Sequence, residues 1–205
     1  MCPPAEGRVL LHACCAPCSG AILESLVAAG LDVTVFWSNS NITPREEYDL
    51  RLGELQRYCA LLGVPMVVDT YDHEAWLCEA AAGREDAPER GSRCSACFKF
   101  RLCRAALYAA REGFACLTTT LASSRWKDLS QVDEAGLAAV ALAREQVSGS
   151  QLVWWGANWR KGGLQPRRAE VIKEQNFYNQ TWCGCEFSQR AASSVPTNSN
   201  KTQYE

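Results

Sequence analysis

The chain has 205 residues, of which 47% are hydrophobic and 21% charged, and its formal net charge is −2. That balance suits one substantial core and excludes the overall basic field that advertises nucleic-acid binding. No apolar stretch approaches the roughly 20 residues of a membrane helix. Met1 to Gly7 lack the charged start and apolar run of a signal peptide, so a cytoplasmic chain with no membrane partner is expected.

Val9 to His12 reads as a first strand and Ser19 to Ala29 as a helix closed by Gly30. Val33 to Trp37 is a second predicted strand. Thr43-Pro44-Arg45-Glu46-Glu47 then combines an N-cap, a proline at the first helical position and early acids, which predicts a helix to about Leu62. Val64 to Val68 is a third strand, Glu74 to Ala82 a short helix, and the polar stretch Gly83 to Arg93 a loop. A helix from Ser95 to about Arg111, a strand over Phe114 to Thr119, a helix over Leu129 to Gln146 and a strand over Gln151 to Trp155 follow. The Ser/Asn/Thr-rich stretch from Gln189 to Glu205 is expected to be a disordered tail beyond a single domain of residues 1–188.

Strands alternating with helices predict an α/β fold with a parallel sheet covered on both faces. The apolar runs lack strict alternation, as strands buried on both sides do. Ligands of such folds gather beyond the carboxyl ends of the strands, where Cys14, Asn39 to Asn41, Asp69 to Asp72 and Thr119 to Ser124 are expected to meet. Between Arg160 and Lys173, five basic residues (Arg160, Lys161, Arg167, Arg168, Lys173) accompany the single Glu170. They fit either a solvated helix face or a phosphate-contacting patch.

Seven of the twelve cysteines fall into three tight groups: Cys14-Cys15-Ala16-Pro17-Cys18, Cys94-Ser95-Ala96-Cys97 and Cys183-Gly184-Cys185. Thiolates gathered at one point repel each other unless they hold metal or are joined as disulfides, and a reducing compartment favours metal. Cys94 and Cys97 have chelating spacing where a loop passes into a helix, whose N-terminus favours thiolates. The side chains of the adjacent Cys14 and Cys15 are expected to diverge and serve two neighbouring metal positions. A structural zinc site closes with four ligands, fewer than seven, and the two histidines, His12 and His73, do not suit a His-rich zinc site. All-thiolate ligation fits an iron–sulfur cluster, with room for a second metal. A zinc-stabilised binding module and a thiol–disulfide oxidoreductase using Cys94 and Cys97 stand as rivals. Cys2, Cys59, Cys78, Cys103 and Cys116 read as small buried hydrophobes, and His12 as a core histidine bonded to backbone.

The motifs around these cysteines resemble those of the QueH-type epoxyqueuosine reductases. Leu11-His12-Ala13-Cys14-Cys15-Ala16-Pro17-Cys18-Ser19 is similar to the family's opening motif, and Asn41 to Tyr48 with Arg51 to its second. Tyr71-Asp72 with Trp76, Arg93 to Phe98, and Phe114 with Thr118 to Leu121 resemble the next three. Tyr178, Gln180 and Cys183 to Ser188 resemble the last. Together they occur in family order over about residues 8–188. After Thr119-Thr120-Leu121 the chain departs from the family's usual Ser-Pro-His/x-Lys-Asn: Lys127 keeps its place and Asp128 replaces the Asn.

The resemblance implies a Rossmann-like core similar to HUP-type nucleotide hydrolases, with a C-terminal segment closing a metal site. It implies reduction of the cyclopentane epoxide of epoxyqueuosine, in the anticodon loop of tRNA, to an alkene. Two electrons and two protons enter and water leaves; an electron donor protein of unspecified identity is implied. A 4Fe–4S cluster with an adjacent mononuclear iron is the implied cofactor set. On that basis Cys14, Cys94, Cys97 and Cys183 are assigned to the cluster, with Cys15, Cys18 and Cys185 nearest the second iron. Asp72 and Tyr48 are candidate proton donors, and Lys127 a candidate contact to substrate or phosphate. Trp154, Trp155 and Trp159 are candidates for stacking on an unpaired anticodon base, with core packing the favoured role for Trp154 and Trp155, which lie in a predicted strand.

Overall fold

The computed structural model describes residues 2–188, so the tail predicted from Gln189 lies outside the described residues. Five short strands form one all-parallel sheet in the order β3-β2-β1-β4-β5. β1 (Val9–His12) is central and wholly buried, because Val9, Leu10 and Leu11 face packed helices on both sides of the sheet. β2 (Val33–Trp37) and β3 (Met66–Val68) lie on one flank, β4 (Cys116–Thr119) and β5 (Val153–Trp154) on the other. Register places His12 between Phe36 and Thr119, which aligns the carboxyl ends of the three middle strands.

The helices are α1 (Ala16–Ala28), α2 (Arg45–Leu62), α3 (His73–Trp76), α4 (Ser92–Arg111), α5 (Leu129–Gln146) and α6 (Leu164–Glu174). α1 packs against α2 and α6, and α4 against α5. This is the parallel α/β architecture that the alternation of elements predicts, and the Rossmann-like core that the resemblance implies. Among the described residues no helix is long and apolar enough to cross a membrane.

Local chemistry explains where boundaries differ from expectation. α1 begins at Ala16, ahead of Ser19, with Cys15 as an extended N-cap and proline in the first turn. α2 is capped by Pro44 and not by Thr43, with no side-chain cap, and it ends on Gly63, whose φ of 66° needs no Cβ. The helix expected over Glu74 to Ala82 is α3 followed by a π turn, Leu77–Ala81; it starts early because the Asp72 carboxylate accepts from Ala75 N at 2.9 Å. α4 starts at Ser92, so Cys94 and Cys97 both lie inside the helix. α6 is absent from the expected elements: it buries only Leu164 and Val171, too thin a stripe to show a helical period.

Close packing of α5 on the sheet edge rests on Gly136, where a Cβ would lie 2.3–2.4 Å from ring atoms of Trp154. Gly53 of α2 has nothing within 4 Å of that point. Gly136→Ala is expected to destabilise by about 1–3 kcal/mol through overpacking. Gly53→Ala is expected to stabilise by about 0.5–1 kcal/mol through helix propensity. Urea denaturation of both variants checks the pair.

Candidate metal centre at the sheet switch point

Strand order runs outward from β1 in both directions, so the carboxyl ends of β1 and β4 frame the crevice where α/β sheets bind ligands. His12 ties them together. Its Nδ1 lies 2.7 Å from Thr119 Oγ1 and its Nε2 3.2 Å from the Ser38 carbonyl. A carbonyl only accepts, so Nε2 carries the proton and Nδ1 accepts from the hydroxyl. Burial, reinforced by the Arg101 charge, lowers its pKa to about 3. His12 is thus a neutral core histidine bonded to backbone, as the sequence suggests.

One residue beyond, Cys14 N donates to Thr120 Oγ1 at 3.0 Å, and the same hydroxyl donates to Cys14 Sγ at 3.3 Å. Cys15 is the extended cap of α1, and Cys18 follows in the first turn. The three sulfurs all lie within 4.8 Å of one another, and those of Cys14 and Cys15 are 3.9 Å apart. The adjacent pair therefore does not diverge as expected, because the chain turns into α1 between Cys14 and Cys18. Thiols of Cys15 and Cys18 donate toward Cys14 and, with Lys127 and Arg101, hold its pKa well below the ordinary range. The same contacts raise Cys15, and Cys18 to about 11. Of the three, Cys14 is the one whose surroundings favour the thiolate form.

The second group comes from α4 and the C-terminal segment. Arg90, at φ 65°, aims its backbone N–H at Cys94 Sγ, 3.3 Å away. Cys97 is buried among Trp76, Ala80, Ala81, Phe100 and Cys185. Burial raises the pKa of both Cys94 and Cys97, and that of Cys185 to about 12. Desolvation and the nearby Cys183 sulfur oppose the thiolate form that the helix N-terminus favours at both positions. Cys183 accepts from Lys127 Nζ at 3.3 Å.

Lys127 joins the two groups. Its ammonium interacts with Cys14, Cys94, Cys97 and Cys183 alike. Burial would lower its pKa, yet the Cys183 and Cys14 sulfurs overcome that and push it up. Arg101, only 2% exposed, adds a second charge acting on Cys14 and Cys97, anchored by Nε to the Ser38 carbonyl at 3.1 Å and by Nη2 to Asn39 Oδ1. Its place was readable in principle: Cys94, Cys97 and Arg101 share one face of α4 at i, i+3 and i+7. Without the fold, that arginine looks like any helix-surface charge.

The last cysteines are clamped from α2. Arg51, paired with Glu47, donates to the carbonyls of Cys183 at 3.1 Å and Trp182 at 3.4 Å. Thr43 N donates to the Gly184 carbonyl at 3.0 Å. At Gly184 φ is 109°, and a Cβ would lie 2.9 Å from Ile42 Cγ1 and 3.0 Å from Arg51 Nη1, so only glycine fits.

Other residues named from sequence lie as follows. Asp72 is exposed and caps α3, while Tyr48 is buried edge-on against Trp37 and packs tilted against Tyr71, 4.5 Å between centroids. Trp155 and Trp159 are buried in the core, Trp159 donating to the Thr119 carbonyl at 3.0 Å, and Trp154 donates to Asp133 at 3.1 Å. Their packing removes Trp155 and Trp159 as stacking surfaces. In the basic stretch, Arg167 is occupied by Glu24, Glu170 and Glu174, and Arg160 by the carbonyls of Ser124 and Lys127. Of the five cysteines read as buried hydrophobes, Cys59 and Cys116 are buried, Cys103 is half-buried, and Cys2 and Cys78 are exposed.

The donor chemistry fits a thiolate-ligated metal centre. Cys14, Cys94 and Cys183 accept hydrogen bonds at 3.3 Å from a hydroxyl, a backbone N–H and an ammonium respectively. The fully buried indole N–H of Trp76 completes no hydrogen bond among the described residues, yet it acts on Cys97 in the sense that favours thiolate. Donors aimed at sulfur are what metal thiolates need from their surroundings.

Residues 9–191 match the family model described as epoxyqueuosine reductase QueH. Curated relatives named epoxyqueuosine reductase QueH include one from Histophilus somni, 42% identical over 92% of this chain and 74% of its own length. Those from Haemophilus influenzae and Acinetobacter baylyi are each 39% identical over 92% of this chain, covering 74% and 83% of the relative respectively. The motifs predicted from sequence, the cysteines they bring to one crevice and these likenesses agree: the chain belongs to the epoxyqueuosine reductase QueH family.

Proposed function

We propose that this protein is an oxidoreductase that reduces epoxyqueuosine in the anticodon loop of cytoplasmic tRNA to queuosine. The observation that carries this reading is the Cys14, Cys15 and Cys18 triad at the sheet switch point, joined through buried Lys127 and Arg101 to the second group of family-motif cysteines. Opening the epoxide to an alkene consumes two electrons and two protons and releases water. The site must therefore supply reducing equivalents and stabilise an oxygen as its bonds to carbon break.

A 4Fe–4S cluster on Cys14, Cys94, Cys97 and Cys183, with an iron nearest Cys15, Cys18 and Cys185, is the cofactor set proposed for this site. When bound, that set supplies electrons one at a time and Lewis acidity beside them. The protein's own residues do the rest. Lys127 holds a positive charge where oxygen develops negative charge, kept inward by its contact with Cys183 and by the Phe98 ring, 5.6 Å from Nζ. Arg101 offsets thiolate charge from below, so that sulfurs can sit close without mutual repulsion. Asp72 and Tyr48 make no contact with the site cysteines among the described contacts. Lys127 is thus the first choice for the catalytic role, ahead of those two.

Turnover of epoxyqueuosine-containing tRNA under anaerobic conditions, read by mass analysis of the released nucleosides, tests the reading. Wild-type protein with a chemical reductant is expected to form queuosine, and failure to do so would refute it. Cys97→Ala is expected to lose both iron and turnover; a variant that kept both would remove Cys97 from the site. Lys127→Met is expected to keep its iron and lose about 100-fold in turnover, the cost of one missing donor to a developing oxyanion. An unchanged rate would assign Lys127 to structure alone.

A further inference from the structure

Six of the seven tryptophans are buried or half-buried; Trp126 is 68% exposed. It sits between Arg125, whose guanidinium lies 5.2 Å from its ring centroid, and Lys127, whose amine touches Cys183. One residue thus points out of the site mouth while its neighbour points in.

The loop that carries it is held rigidly. Arg90 donates through Nε to the Trp126 carbonyl at 3.0 Å and through Nη2 to the Arg125 carbonyl at 2.9 Å. Arg160 donates to the carbonyls of Ser124 and Lys127. Four consecutive carbonyls are therefore held by two arginines from distant parts of the chain. Arg90 adopts a left-handed backbone, uncommon for a residue with a Cβ, and the same residue directs its N–H at Cys94. That conformation links the loop outside the site to a cysteine within it.

Exposing a large aromatic ring on a clamped loop gains nothing for folding. With the exposed Arg90 and Arg125 beside it and Asp128 engaged in capping Ser130 of α5, it has the makeup of a surface that binds unpaired nucleic acid. The cations attract the phosphate backbone, and the ring offers a face to any base. Rigidity of the loop means that little conformational entropy is lost on stacking.

We propose that Trp126 is a stacking platform for a nucleobase of the substrate RNA, set beside the residue that touches the metal-site sulfurs. This proposal rests on the reading of the substrate as an anticodon loop. The site would take an unpaired base next to the modified nucleotide, recognised by its π-face and not by its edges.

The test uses full-length, anaerobically purified protein and a fluorescently labelled synthetic anticodon stem-loop RNA, with binding read by anisotropy over a series of salt concentrations. Trp126→Ala is expected to weaken binding by about tenfold or more, the loss of one base–aromatic stack, with iron content unchanged. Trp126→Phe is expected to restore most of the affinity. The slope of affinity against salt should stay the same in all three proteins, since no phosphate contact is removed. Wild-type affinity in Trp126→Ala, or no rescue by Phe, would overturn the proposal while the substrate reading stands. A wild-type protein that does not bind the stem-loop would overturn both.

Discussion

Buried Arg101 has no carboxylate partner among the described ion pairs; its hydrogen bonds go to the neutral oxygens of Ser38 and Asn39. A cation removed from water without a counter-charge is costly, and native structures avoid it unless an anion lies close by. Here the sulfurs of Cys14 and Cys97 are the groups that feel its charge, and Lys127 repeats the pattern with Cys183 and Cys14. Sulfurs and cations thus face one another in this crevice, and Arg101 and Lys127 act on Cys14 and Cys97 in the sense that favours thiolate. The remaining architecture supplies that exchange: β1 delivers Cys14, α4 delivers Cys94, Cys97 and Arg101 on one face, and the loop before α5 delivers Lys127.

Closure of the site depends on contacts made far from the sulfurs. Arg51 and Glu47 on α2 hold the backbone of Trp182 and Cys183, while the loop after β2 holds Gly184. Arg93, four residues before Cys97, gathers the carbonyls of Arg84, Glu85 and Ala87 and lies over the Phe187 ring. Each clamp uses a guanidinium to satisfy several carbonyls at once, which suits irregular chain whose backbone has no helix or strand partner.

Much of this was legible in the sequence, and the physical reason is plain for both what was and what was not. Buried parallel strands leave dense apolar runs, so β1 and β2 were read with their observed bounds. The cysteine groups were visible because their spacing is local. Arg101 and Arg90 were not, since their roles arise only where distant elements meet, and Trp76 was named only as part of a motif without its place beside Cys97. The thiolate character of Cys14 was hidden for the same reason: it depends on Cys18 one turn away, Lys127 across the crevice and Arg101 below. The stacking residues were sought in Trp154, Trp155 and Trp159, beside the basic stretch, but Trp155 and Trp159 turn into the core and Trp154 is half-buried against Asp133. α6 escaped notice because two buried residues are too few to mark a face.

The central claim is that these seven cysteines hold iron and sulfide. Metal and acid-labile sulfide analysis of the anaerobically purified protein tests it most directly. The account predicts brown protein with roughly four or five irons per chain and sulfide to match. Colourless protein with about one zinc and no sulfide would contradict it.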